Sequence, residues 1–124
     1  PIKVGGGHAK QKRPKEWRQA LPKKARQAAR NNAILSKIKD NQLKVVEDLK
    51  LEQPKTKLFA TALKNLKIDR TVLVAINGQD AAVERAARNI AKTRLTTVAQ
   101  LNAWDILNTR TLLVTKDGLE ALLK

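Results

Sequence analysis

Thr71 to Ile76 reads TVLVAI, an uncharged aliphatic run that ends at the turn signal Asn77-Gly78. A strand apolar on both faces has no side to offer water, so it belongs at the centre of a parallel sheet covered by helices. The rest of the chain supplies the covers. Leu21-Pro22 opens a helix expected to reach about Asp40, with Pro in the first turn, where its missing N–H costs nothing. Its apolar side is read as Leu21, Ala25, Ala28, Leu35 and Ile38, with Lys23, Arg26, Arg30 and Lys37 on an outward basic stripe. LKVVED reads as a short strand after Asn41-Gln42. Pro54 starts a second helix, on which Leu58, Phe59, Ala62, Leu63 and Leu66 recur at helical spacing.

Beyond the aliphatic run, Ala81 to Ala91 is expected as a helix with Arg85 and Arg88 exposed. TRLTTV follows as a strand, then VAQLNAWDILNTR as a helix with Leu101, Trp104, Ile106 and Leu107 turned inward. TLLVT is the last strand, and Thr115 caps a closing helix that Gly118 weakens. Such alternation implies an α/β fold: a parallel sheet of about four strands, helices on both faces, right-handed crossovers. At 124 residues the chain is one domain in size.

The N-terminal stretch follows different rules. Lys3 to Arg30 contains ten Lys or Arg against the single carboxylate of Glu16, a net +9 out of the chain's +15. Before Leu21 it has few apolar side chains to bury, and it includes Gly5, Gly6 and Gly7. Residues 1–20 are therefore expected to form an extended basic arm, and residues 21–124 an α/β globular domain. Cations for phosphates, glycine for close backbone approach and Trp17 for base stacking point to an RNA partner. The candidate RNA-binding residues are Lys3, Gly5, Gly6, Gly7, His8, Lys10, Lys12, Arg13, Lys15, Trp17, Arg18, Lys23, Lys24, Arg26 and Arg30. Plainer readings stand beside this one. The glycines also suit a flexible linker, Trp17 a hydrophobic anchor, and the basic stripe a solvated helix face.

Chemistry of other kinds finds little support. The chain has no Cys and one His, which removes disulfides, thiolate chemistry and the usual zinc ligand sets. No Gly-Lys-Ser or Gly-Lys-Thr closes a phosphate loop. Glu47-Asp48 is a neighbouring acidic pair, but no third carboxylate or His accompanies it in sequence. No catalytic residue, metal or cofactor is assigned. No apolar run approaches the roughly twenty residues of a membrane span, and no signal-peptide segment opens the chain. The sequence starts at Pro1 and lacks Met, so residues upstream are expected in the natural protein. Two rivals remain: a small α/β enzyme or nucleotide-binding domain with an incidental basic tail, and a binder of acidic membrane surfaces.

Gly5-Gly6-Gly7, Pro14 and Leu21-Pro22-Lys23-Lys24 with Arg26 resemble the end of the extended loop and the following helix in the family of the fourth large-subunit ribosomal protein, bacterial or organellar type. The likeness continues through Pro54-Lys55-Thr56-Lys57 with Phe59, through Ala87-Arg88-Asn89, and through Leu101-Asn102 with Asp105 and Leu107. It spans the whole chain in order. The resemblance implies a non-enzymatic constituent of the large ribosomal subunit that binds large-subunit rRNA and touches neighbouring ribosomal proteins, with a basic loop directed to the peptide exit tunnel. It implies residence on ribosomes of the cytoplasm or of an organelle, no membrane and no homo-oligomer. It also implies a missing N-terminal part containing a first strand and the outgoing half of the loop. His8-Ala9-Lys10-Gln11-Lys12 departs from the family's pattern, in which apolar and aromatic residues and a Gly-Pro follow the glycines.

Overall fold

The computed structural model describes residues 4–7, 14–49, 51 and 53–123. Its centre is β2, Val72–Ile76, every residue of which is buried. β4, Thr111–Thr115, flanks it on one side and β3, Thr93–Thr97, on the other, while β1, Leu43–Val46, forms the far edge beyond β4. All pairings are parallel, with Val72 opposite both Thr93 and Thr111 and Leu43 opposite Leu112. The fully aliphatic run is thus the inner strand that its composition demands.

Strand alternation divides the core in two. On one face Val72, Val74, Ile76 and Leu113 pack with Phe59 and Leu63 of α2, Thr56–Asn65, and with Val83, Ala86 and Ala87 of α3, Ala81–Ala87. Leu58, expected on that apolar face of α2, lies exposed. On the other face Leu73, Ala75, Leu112 and Val114 pack with Ala33 of α1, Lys23–Lys39, with Ile106 of α4, Ala103–Asn108, and with Leu119 and Leu122 of α5, Lys116–Leu123. Both faces of the sheet are therefore covered, as the α/β reading requires.

Two expected helices are cut short by local hydrogen bonding. Asp80 caps α3 by accepting from the amides of Ala82 at 2.8 Å and Val83 at 3.4 Å. That helix ends at Ala87 rather than Ala91. The chain then turns, Ile90 N–H donating to the Ala87 carbonyl at 3.0 Å, and left-handed Lys92 (φ 65°), whose carbonyl accepts from Val72 N–H at 2.9 Å, leads into β3. The expected helix through VAQLNAWDILNTR is instead a 3₁₀ turn, Val98–Gln100, an extended Leu101 and a new helix. Asn102 starts α4 by accepting from the amide of Asp105 at 2.8 Å, a side-chain cap that favours a fresh helix. The restart buries Leu101 and Ile106 but leaves Trp104 64% and Leu107 59% exposed, against the expectation that both turn inward.

At α5 the expected cap is present, with Thr115 Oγ1 accepting from Gly118 N–H at 3.2 Å. Gly118 is more than a weak spot in that helix. A Cβ there would lie 3.0 Å from Thr115 Oγ1 and 3.2 Å from Val98 Cγ2, so glycine lets α5 press onto the sheet.

Candidate nucleic-acid interface

The site begins in the N-terminal segment. Gly5 and Gly6 have φ of +96° and +77°, backbone angles at which a side chain would be strained, and a Cβ at either would meet nothing within 4 Å. Gly7 beside them is exposed. Residues 14–20 form no helix or strand, and Lys15, Trp17 and Arg18 are all exposed. The Trp17 ring is 81% exposed, with the Lys15 ammonium 4.7 Å from its centroid. That geometry does not suit a hydrophobic anchor, and it leaves an aromatic face open for stacking. Lys3, His8, Lys10, Lys12 and Arg13 lie outside the described residues.

The segment leads into α1, whose first turn carries Lys23 and Lys24 and no acidic residue. Pro22 at its N-cap supplies no side-chain hydrogen bond, so the free first-turn amides keep the positive end of the helix open. Here the structure corrects the helix orientation read from the sequence. Leu21, Leu35 and Ile38 are exposed, while Ala33 and Lys37 are buried and Arg30 is half-buried. Arg26, Arg30, Ala33 and Lys37 fall within one narrow strip of the helix, and this strip turns towards α4. Small Ala33 permits close approach, with the Lys37 side chain buried and Arg30 half-buried beside it.

Lys37 shows what fixes that orientation. Only 6% exposed, its Nζ donates to the carbonyl of Thr109 at 2.6 Å, to Gln42 Oε1 at 2.9 Å and to the carbonyl of Arg110 at 3.2 Å. The residue read as part of an outward stripe is a clamp between the end of α1 and the start of β4. Burial lowers its pKa below the ordinary 10.5; Asp40 partly offsets this and Arg110 adds to it.

Between α1 and the connection from β3 to α4 lies an open cleft of about 640 Å³. Lys23, Arg26, Gln27 and Arg30 line one wall, Gln100, Leu101 and Asn102 the other, and no carboxylate is among its lining residues. Arg30 Nε is buried there without a hydrogen-bond partner. No sequence signal marked Gln100 or Asn102 as neighbours of these cations; the return of the chain from β3 brings them there.

The carboxyl ends of the strands, where α/β sheets commonly take small ligands, have the opposite character. A crevice of about 370 Å³ there is lined by Asp48, Asp80 and Asp117 and by no Lys or Arg. A second, of about 460 Å³, sets Asp80, Glu84 and Asp105 against Arg88 and Arg94. Asp80 is occupied in capping α3, and Asp105 accepts from Asn102 Nδ2 at 2.7 Å and pairs with Arg94 at 3.5 Å. Among the described residues no three His, Cys, Asp or Glu side chains converge as a metal site, and no helix is long and apolar enough to cross a membrane. The crevice lined by Asp48, Asp80 and Asp117 is thus poorly suited to a phosphate-bearing ligand.

Fold and charge together define a basic α/β protein with cations along an N-terminal segment, its first helix and the cleft beside it. The chain belongs to the Ribosomal protein L4/L1 family, whose sequence profile matches residues 1–124. It is similar to the large ribosomal subunit protein uL4 of Alkaliphilus oremlandii, 37% identical over 97% of this chain and 58% of that protein. It is also similar to those of Pelotomaculum thermopropionicum, 40% identical over 95% of this chain and 57% of that protein, and Hyphomonas neptunium, 39% identical over 98% and 57%. The chain therefore spans somewhat over half the length of these relatives.

Proposed function

We propose that this protein is a non-enzymatic structural constituent of the large ribosomal subunit that binds large-subunit rRNA. Residues 1–20 act as a basic arm and residues 21–124 as the domain that seats it. The arm lies extended in RNA, Lys3, Lys10, Lys12, Arg13, Lys15 and Arg18 meeting phosphates and Gly5 to Gly7 allowing close approach. His8 contacts the same RNA, and Trp17 stacks on a base. Lys23, Lys24, Arg26 and Arg30 extend the contact onto the domain. The arm is the returning half of a loop directed to the peptide exit tunnel, and neighbouring large-subunit proteins are its other partners. The ribosome of the cytoplasm, or of an organelle, is where it works.

The observation that carries this reading is the local separation of charge: the charged groups lining the cleft that continues the N-terminal segment are all cations, and those lining the crevice of Asp48, Asp80 and Asp117 are all carboxylates. Membership in a ribosomal protein family supports ribosomal RNA as the partner. Filter binding of the full chain to large-subunit rRNA over a series of salt concentrations tests it. Each phosphate neutralised steepens the log–log slope by about 0.7 to 0.9. A slope that stays the same after Ala replacement across the arm would refute the assignment.

A further inference from the structure

We infer that the cleft between α1 and the β3–α4 connection is a seat for one backbone phosphate of folded RNA, with Arg30 as its central donor. The inference rests on the rRNA reading and adds to it a site made by the tertiary fold.

Arg30 is the reason. Its Nε is buried, yet no acceptor in the protein reaches it. A buried N–H of a charged group without an acceptor is costly, and native structures seldom leave one so. A ligand reaches that donor only when the guanidinium turns its Nε edge outward, and Arg30 lines an open cleft of about 640 Å³ that leaves room for this. Everything charged that lines this cleft is positive: Lys23, Arg26 and Arg30. Asn102 is committed to capping α4, but the Gln27 and Gln100 side chains remain as neutral donors on opposite walls. The positive end of α1 opens beside it, with Leu21 and Lys23 shared between the helix start and the cleft. An anion is the ligand that meets all of these groups at once.

The anion is a phosphodiester because of what precedes the cleft. Residues 14–20 carry exposed Lys15, Trp17 and Arg18 and join α1 where the cleft starts. A nucleic-acid strand following that segment delivers its next phosphates to Arg26 and Arg30. The planar guanidinium fork suits two phosphate oxygens better than an ammonium would. Lys15 and Arg18 sit on exposed chain, whereas Arg30 packs against the domain. The cleft therefore reads the path of the RNA backbone, and the arm supplies attraction.

The test uses the full chain and large-subunit rRNA, with Arg30→Met, Arg30→Lys, and Arg85→Gln on the opposite face of the sheet as control. Arg30→Met is expected to weaken binding about tenfold and lower the salt slope by about one unit, while melting temperature holds or rises because the unpartnered donor is gone. Arg30→Lys, which keeps charge and stem if the Met variant folds poorly, is expected to restore the slope but only part of the affinity. Arg85→Gln should change neither. Unchanged affinity for Arg30→Met, while Ala replacement of Lys15 and Arg18 still weakens binding, overturns the phosphate seat and leaves the rRNA reading standing. A carboxylate of a neighbouring protein as the true occupant would give that result. Failure of the unaltered chain to bind rRNA overturns both.

Discussion

The strand-end crevice beside α5 and the α1 cleft are openings in one small domain, yet their charges are opposed. Asp48, Asp80 and Asp117 line one strand-end crevice with no Lys or Arg and the other mixes acids with Arg88 and Arg94, while Lys23, Arg26 and Arg30 line the cleft with no acid among them. With a screening length of about 8 Å at physiological salt, each opening presents its own charge to a ligand more than the chain's net +15. A strongly basic protein can thus keep a polyanion off the face where α/β enzymes work and draw it to another. The charge that matters to function is local.

The largest expected effect falls on the basic side. Replacing Lys3, Lys10, Lys12, Arg13, Lys15 and Arg18 together by Ala should lower rRNA affinity on the order of a thousandfold at low salt and flatten the salt slope by about four to five units. Filter binding across salt reads both. A small change would mean that the domain alone holds the RNA.

Next comes Lys37, on the same helix strip as Arg30 but with a different job. Lys37→Met strands the Thr109 and Arg110 carbonyls and should cost about 2–4 kcal/mol in denaturant unfolding, with little loss of rRNA affinity in the folded fraction. The pH dependence has a definite sign. Because the folded-state pKa lies below the unfolded 10.5, the folded protein releases this proton first. Wild-type stability should therefore gain, relative to Lys37→Met, as pH rises through that window. Urea titrations at successive pH values check it, and a gap that narrows with rising pH would contradict the burial argument.

Trp17→Ala should lose a stacking contact of about 1–3 kcal/mol without altering thermal stability, since the ring is exposed. Tryptophan fluorescence should show quenching by RNA in wild-type and mostly lose it in the variant, where Trp104 remains. Smallest of all, Asp117→Asn at the acidic crevice should change rRNA affinity less than about twofold, as a rim charge far from the contacts does. A large change would break the contrast between the two openings.

Much of this fold could be read from residues because burial left one solution. TVLVAI had to be an inner strand, and Phe59 with Leu63 had to face it. Thr115 was recognisable as a cap three residues before the amide it accepts from. Orientation of α1 was not legible. Its best-looking apolar side, Leu35 with Ile38, is exposed, while the buried strip consists of Ala33 with Lys37 and, half-buried, Arg30. Simple hydrophobic periodicity counts Arg30 and Lys37 as outward. The break at Asn102 was hidden in the same way, since one amide cap reset the helix and sent Trp104 and Leu107 to the surface. The cleft escaped notice because its walls are some seventy residues apart in sequence, Arg30 against Gln100. Composition alone singled out the glycines and cations of residues 1–20, which are proposed here as an arm.

The most direct test of the central claim is sedimentation of the natural full-length protein from its own cells on a sucrose gradient, before and after a high-salt wash. Co-migration with large ribosomal subunits through the wash is the predicted result, because a built constituent is held by shape as well as by screened charge. Release to the top of the gradient after the wash would contradict the account, reducing the association to loose charge.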